Sequence, residues 1–154
     1  MIITFCGHAQ IYNGQKELRE EILKTINKNA SGEDVTFYLG GYGTFDHLAL
    51  LCCKEYKQNH PNARLIFVSP YLEESYFQNR ELRLREYDGI EYAEVEDTPK
   101  KFAIIKRNEW MVKQSDLLIA YVNYGWGGAA KTLLYAQKHK KNYVNLGAKI
   151  WNVD

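Results

Sequence analysis

The chain has 154 residues, 45% hydrophobic and 25% charged, with a formal net charge of +1. That is the size and balance of one globular domain, residues 1–154, with a core of its own. A near-neutral charge argues against a nucleic-acid partner, whose binding rests on an excess of Lys and Arg, and no apolar run approaches the ~20 residues of a membrane helix.

The first apolar run, residues 1–5, is too short for a signal peptide and leads into Gly7 and His8. Residues 2–6 are expected to form a buried strand ending at that glycine. Residues 17–27 place Leu18, Ile22, Leu23 and Ile26 on one helical stripe. A loop at residues 31–34 leads to a second strand, 35–39. The glycines of LGGYGTFDHLAL (residues 39–50) open a helix running to about residue 59, with Phe45, Leu48, Cys52 and Tyr56 on one face. Residues 64–68 form a third strand, closed by Ser69 and Pro70. The stretch 72–87 is charged and aromatic and reads as a surface helix, and 90–95 as a short edge strand. A helix over 102–114 precedes a buried strand over 117–122. The turn of Gly125, Gly127 and Gly128 opens a helix to about residue 140, and a last strand covers 143–146. Strands alternating with helices predict an α/β domain, a mostly parallel sheet of five or more strands with helices on both faces.

The cysteines, Cys6, Cys52 and Cys53, are odd in number, and two are adjacent. They read as reduced thiols and a cytoplasmic setting. The histidines, His8, His47, His60 and His139, lack metal-ligand spacing, so no metal and no cofactor is expected.

In a parallel sheet, ligands sit beyond the carboxyl ends of the strands. Candidate ligand-binding residues are therefore Gly7 and His8, the first glycine turn with Gly40, Gly41, Tyr42, Gly43 and Thr44, and Ser69 after the third strand. The YVNYGWGGAAKT segment (residues 121–132) adds Asn123, Trp126, Gly127, Gly128, Lys131 and Thr132. Glycines let backbone approach a ligand, and a helix start offers unpaired N–H groups that favour an anion. Neither turn has the Gly-Lys-Ser/Thr of a P-loop, and residues 40–43 do not fit G-x-G-x-x-G. In KRNEWMVKQSD (residues 106–116), helical spacing puts Ile104, Asn108, Met111 and Ser115 on one stripe, with Arg107 at its border. Arg107 and Asn108 are thereby candidates for a ribose or phosphate. Asp46, and after it Glu109, are the candidate carboxylates near the expected site, and Asp116 is expected to cap or orient the turn before the strand.

Several motifs resemble those of LOG-type phosphoribohydrolases. FCGH (residues 5–8) resembles their FCGS, YLGGYGTFDHLA (38–49) their YGGG…G…VA segment, and FVSP (67–70) their third-strand end. RNEWMVKQSDLLIAY (107–121) resembles RK-x-x-M…D…I-x-L, YGWGGAAKTLLYA (124–136) stands where they carry PGGxGTxxE, and KKNYVNL (140–146) resembles their closing strand. The resemblance spans nearly the whole chain and is identified with the wider SLOG superfamily, its RN-x-x-M and WGGA turns being most similar to the YpsA-like branch. It implies a Rossmann-like domain that binds nucleotides or nucleotide-derived ligands. It also implies phosphoribosyl contacts by Arg107 and phosphate contacts by Gly127 and Gly128. The glutamate that ends PGGxGTxxE has no counterpart here, where residues 131–134 are Lys-Thr-Leu-Leu. Asp46 is the available stand-in, and with Arg107 it would be the catalytic pair of any enzyme.

The sequence thus predicts a small-molecule binding protein of sensor or scavenger type. Its ligand would be a nucleotide, a nucleoside phosphate or an ADP-ribose relative, with the base against Tyr42, Tyr71, Tyr124 or Trp126. An N-glycosidic-bond enzyme, phosphoribohydrolase or deoxyribosyltransferase, is the alternative, and a nucleic-acid module comes third. The aromatic-rich residues 72–92 leave room for a homo-oligomer.

Overall fold

The computed structural model describes residues 1–30, 34–70, 79–95 and 97–147. Within them run β1 (Ile2–Gly7), α1 (Gln15–Asn29), β2 (Thr36–Leu39), α2 (Gly43–Asn59), β3 (Arg64–Ser69), α3 (Arg80–Glu86), β4 (Gly89–Tyr92), α4 (Lys100–Gln114), β5 (Leu117–Tyr121), α5 (Gly128–Lys138) and β6 (Tyr143–Asn145). The strands form one six-stranded sheet, β4-β3-β2-β1-β5-β6, with every pairing parallel. The expected α/β layout with helices on both faces is what the chain adopts.

Alternation along the strands divides the core in two. Ile3, Phe5, Phe37, Leu39, Leu65, Phe67, Leu117 and Ile119 pack with Leu18, Ile22 and Ile26 of α1 and with Phe45, Leu48, Cys52 and Tyr56 of α2. On the other face Cys6, Leu118 and Ala120 meet Val112 of α4 and Leu133 and Ala136 of α5, while Tyr38, Ile66 and Val68 meet Ala103 and Met111 of α4. Continuous apolar strands suit a parallel sheet because both faces are covered.

Most expected elements are present, with ends shifted by a residue or two. β4 stops at Tyr92, three residues before the expected end: its partner β3 ends at Ser69, whose carbonyl accepts the last bond of the pairing from the Ala93 N–H, and the chain then turns, with the Thr98 N–H donating to Val95. Of the surface helix expected over 72–87, the described part is α3, which buries none of its residues. Residues 72–78 of that expectation, and most of the 31–34 loop, lie outside the described residues. Asp116 orients the chain before β5: its carboxylate accepts the Ile2 N–H (2.7 Å), and its own N–H donates to the Ile2 carbonyl (2.7 Å).

The stripe expected on α4 is turned by one residue. Its buried residues are Ala103, Arg107, Met111 and Val112, whereas Ile104 is 42% exposed. Asn108 is half-buried, and Ser115 lies past the helix end as its C-cap. The cause is Arg107, whose guanidinium is drawn inward by main-chain carbonyls, as described below.

The start of α2 lies against the end of β1. A methyl group on Gly7 would come within 2.2 Å of Phe45 Cγ, and Phe45 is fully buried. Gly7→Ala should therefore force a shift in the core and cost about 2–3 kcal/mol of stability. Urea denaturation of the variant against wild type measures this.

Candidate ligand-binding site

The strand order reverses at β1. The chain winds from β1 outward through β2, β3 and β4, then returns to place β5 on the other side of β1. The chain leaves β1 and β5 toward opposite faces of the sheet, α1 on one and α5 on the other, which opens a crevice at their carboxyl ends, the usual ligand position in open parallel sheets. A cleft of about 210 Å³ occupies it, with Gly7, His8, Asp46, Asn108, Trp126 and Gly128 in its walls. A second cleft of about 210 Å³ runs over the ends of β3 and β4, lined by Phe67, Ser69, Asn79, Arg83 and Ile90. The two share Tyr42, Ile104 and Arg107.

Arg107 is 4% exposed. Its Nη1 donates to the carbonyls of Val68 (2.9 Å) and Gly40 (3.3 Å), and its Nε donates to Asn108 Oδ1 (2.9 Å). A guanidinium cannot shed its proton, so burial requires such acceptors. Asp46 lies alongside: a methyl group built on Gly40 would stand 3.1 Å from Arg107 Nη2 and 3.3 Å from Asp46 Oδ2. Burial pushes the Asp46 carboxyl from its usual 3.8 up to about 6, against the pull of the Tyr42 N–H bond and the Arg107 charge. Cys6, in the same cleft, is pushed far above the ordinary thiol range by burial, with the Asp46 charge adding, so it is an inert thiol.

The two glycine turns differ. The first is a packed corner. Tyr42 is the N-cap of α2, and its N–H donates to Asp46 Oδ2 (3.1 Å). The Thr44 N–H donates to the Ala9 carbonyl (2.8 Å). Gly43 has φ +90°, and a side chain there would strike Ala9 Cα at 2.6 Å. The second turn is open. Gly127 has φ +91°, and nothing lies within 4 Å of where a side chain would start on Gly125, Gly127 or Gly128. The N–H groups of Gly128, Ala129 and Ala130, the first turn of α5, have no protein acceptor among the described residues.

At the mouth, Tyr124 stacks on His8 at 3.6 Å with 6° between the planes, and Trp126 stands 4.3 Å from Tyr124. His8 is buried, and its Nε2 accepts the Asn123 N–H (2.9 Å), which places the proton of the neutral ring on Nδ1. Burial lowers the His8 pKa, with the Asn123 side chain opposing. Tyr42 and Trp126 are 69% and 71% exposed.

The fold thus brings Gly7, His8, Tyr42, Asp46, Arg107, Asn108, Trp126, Gly127 and Gly128 to one cleft, and Gly40, Gly41 and Ser69 to the adjoining one. Others fall away from both. Lys131 is exposed on the next turn of α5, and Thr132 is buried with its hydroxyl donating to the Gly128 carbonyl (2.8 Å). Asn123 acts on His8, through its backbone N–H and its side chain, and Tyr71 lies outside the described residues. Arg83 and Ile104 were not anticipated. Arg83 sits on a helix that follows a stretch with no periodicity, and Ile104 reads as core from helical spacing.

No family model matches the chain, and no curated protein matches it either. Solved structures do. DNA processing protein A of Helicobacter pylori, described for its single-stranded DNA binding mode, aligns with a TM-score of 0.61 at 18% identity, over 93% of this chain and 63% of that one. The molybdenum cofactor carrier protein of Chlamydomonas reinhardtii aligns at 0.55 and 20% identity, over 95% of this chain and 76% of that one. The fold is Rossmann-like. DNA processing protein A of Streptococcus pneumoniae aligns at 0.51 and 13% identity, over 98% of this chain and 60% of that one. At these identities the likeness is one of fold. The chain spans 63% of the length of the Helicobacter protein. Among the described residues no helix is long and apolar enough to cross a membrane.

The raised Asp46 pKa fixes a stability profile. The folded state holds the proton more tightly than the unfolded chain, so Asp46 costs nothing below about pH 3.8 and progressively destabilises the fold as pH rises to about 6, levelling above that. Asp46→Asn should therefore be more stable than wild type by about 2–3 kcal/mol at pH 8 and equal to it near pH 3.5. Denaturant titrations of both proteins across that range read the difference.

Proposed function

We propose that this chain binds a nucleoside phosphate or a nucleotide-derived relative in the cleft between β1 and β5, as a sensor or scavenger, within the YpsA-like branch of the SLOG fold. The observation that carries the reading is the open start of α5. Unpaired N–H groups at a helix N-terminus carry partial positive charge and attract phosphate, and Gly127, Gly128 and Ala129 line the cleft. The sugar belongs deeper in. Asp46 is ionised for the most part at pH 7 and would repel a phosphate placed beside it, but a carboxylate is a good acceptor for ribose hydroxyls. Asn108 and the permanent charge of Arg107 complete that pocket.

A second reading is catalytic. A carboxyl with a pKa of about 6 at the cleft floor suits delivery of a proton to a departing base near neutral pH, and its anion suits an oxocarbenium-like transition state. Free base released from a nucleoside monophosphate, and lost in Asp46→Asn, would establish it. Single-stranded DNA belongs in the same titrations, given what the Helicobacter protein is described as binding and the exposed Tyr42 and Trp126 at the mouth. Salt-sensitive quenching of tryptophan fluorescence by oligo(dT), unmatched by any mononucleotide, would favour that partner.

Isothermal titration with the common nucleoside mono- and diphosphates is expected to show binding, and none by any of them at millimolar concentration would remove the proposal. Gly128→Asp separates site from scaffold. Its carboxylate at the first position of α5 should stabilise the helix by about 0.5–1 kcal/mol, yet weaken phosphate-ligand binding at least tenfold.

A further inference from the structure

We infer that the base of this ligand lies in the second cleft, against Arg83 and Phe67, and not at the aromatic mouth, so that the site takes a nucleoside monophosphate laid along both clefts. This rests on the phosphate being held at the start of α5.

Size comes first. Each cleft is about 210 Å³, below the roughly 300 Å³ at which small-molecule sites begin. Together they exceed it, and they meet at Tyr42, Ile104 and Arg107. The α5 amides line one cleft, Phe67 and Arg83 line the other, and the Arg107 guanidinium sits where the two join.

Chemistry orders the parts the same way. The first cleft has the helix start at one side and Asp46, Arg107 and Asn108 at its floor, a setting for phosphate and sugar rather than for a flat heterocycle. The second has apolar walls from Phe67, Pro70, Ile90 and Ile104, with the polar groups of Ser69, Asn79 and Arg83 among them. Flat rings favour apolar walls with a few fixed polar handles. The Arg83 guanidinium lies 4.1 Å over the Phe67 ring. A planar cation held on an aromatic ring is itself a plate on which a base can stack, with N–H donors along its edge. The mouth is poorer by comparison. Tyr124 already has His8 and Trp126 against it, so its faces are spent within the protein.

The experiment compares a nucleotide with its base-free counterpart. Ribose 5-phosphate and whichever of AMP, GMP, CMP and UMP binds tightest are titrated into wild type, Arg83→Ala, Arg83→Lys and Trp126→Ala by calorimetry, with circular dichroism to check folding. In wild type the nucleotide should bind at least tenfold tighter than ribose 5-phosphate. Arg83→Ala should weaken the nucleotide about tenfold and leave ribose 5-phosphate within twofold, because α3 buries none of its residues and the substitution leaves the core intact. Arg83→Lys, which keeps the charge and loses the plane, should behave like Arg83→Ala. Trp126→Ala should leave the ratio of the two affinities unchanged. An unchanged ratio in Arg83→Ala, a collapse of it in Trp126→Ala, or equal affinities in wild type would overturn the base placement while leaving nucleotide binding standing. Failure of both ligands to bind would overturn the two together.

Discussion

A buried guanidinium is the constraint on which the carboxyl edge of this sheet depends. Arg107 cannot lose its charge, and at 4% exposure it cannot be solvated by water. It therefore has to be held by oxygen atoms that the fold brings to it, and two of these are main-chain carbonyls at the ends of different strands, Gly40 after β2 and Val68 within β3. The requirement reaches outward. α4 is rotated so that Arg107 faces the sheet and Ile104 faces the clefts, the space beside Gly40 is filled by the guanidinium and the Asp46 carboxylate, and the opening at this edge is parted into two chambers.

Much of the fold was legible because its signals are local. Short apolar runs ending at glycine or proline are strands wherever they occur in this chain, and the stripes Leu18-Ile22-Ile26 and Phe45-Leu48-Cys52-Tyr56 need only the helical period. The α4 face failed for the opposite reason. Periodicity ranked Ile104 above Arg107 by hydrophobicity, but burial of Arg107 is decided by the carbonyls of Gly40 and Val68, 67 and 39 residues away in sequence. Arg83 was illegible on the same grounds, since its meaning comes from Phe67 on β3.

The glycine turns make the same point for the site. LGGYG and YGWGG look alike as strings, each joining a strand to a helix. What separates them is supplied from outside: the Ala9 carbonyl and the Asp46 carboxylate occupy the N–H groups of the first, and nothing among the described residues occupies those of the second. Glycine content marks where backbone conformation is special, without saying whether the space gained is taken by the protein or left to a ligand.

The position of β1 has a kinetic consequence. β1 pairs with β2 after one helix, but its other neighbour, β5, arrives 114 residues after the strand begins, at the Ile2–Asp116 contact. Non-local pairing of this kind slows folding. The crevice between β1 and β5 lies on that seam. A chain emerging from synthesis can complete β2, β3 and β4 on one side of β1 before β5 arrives, so this crevice is the last part of the sheet edge to take shape.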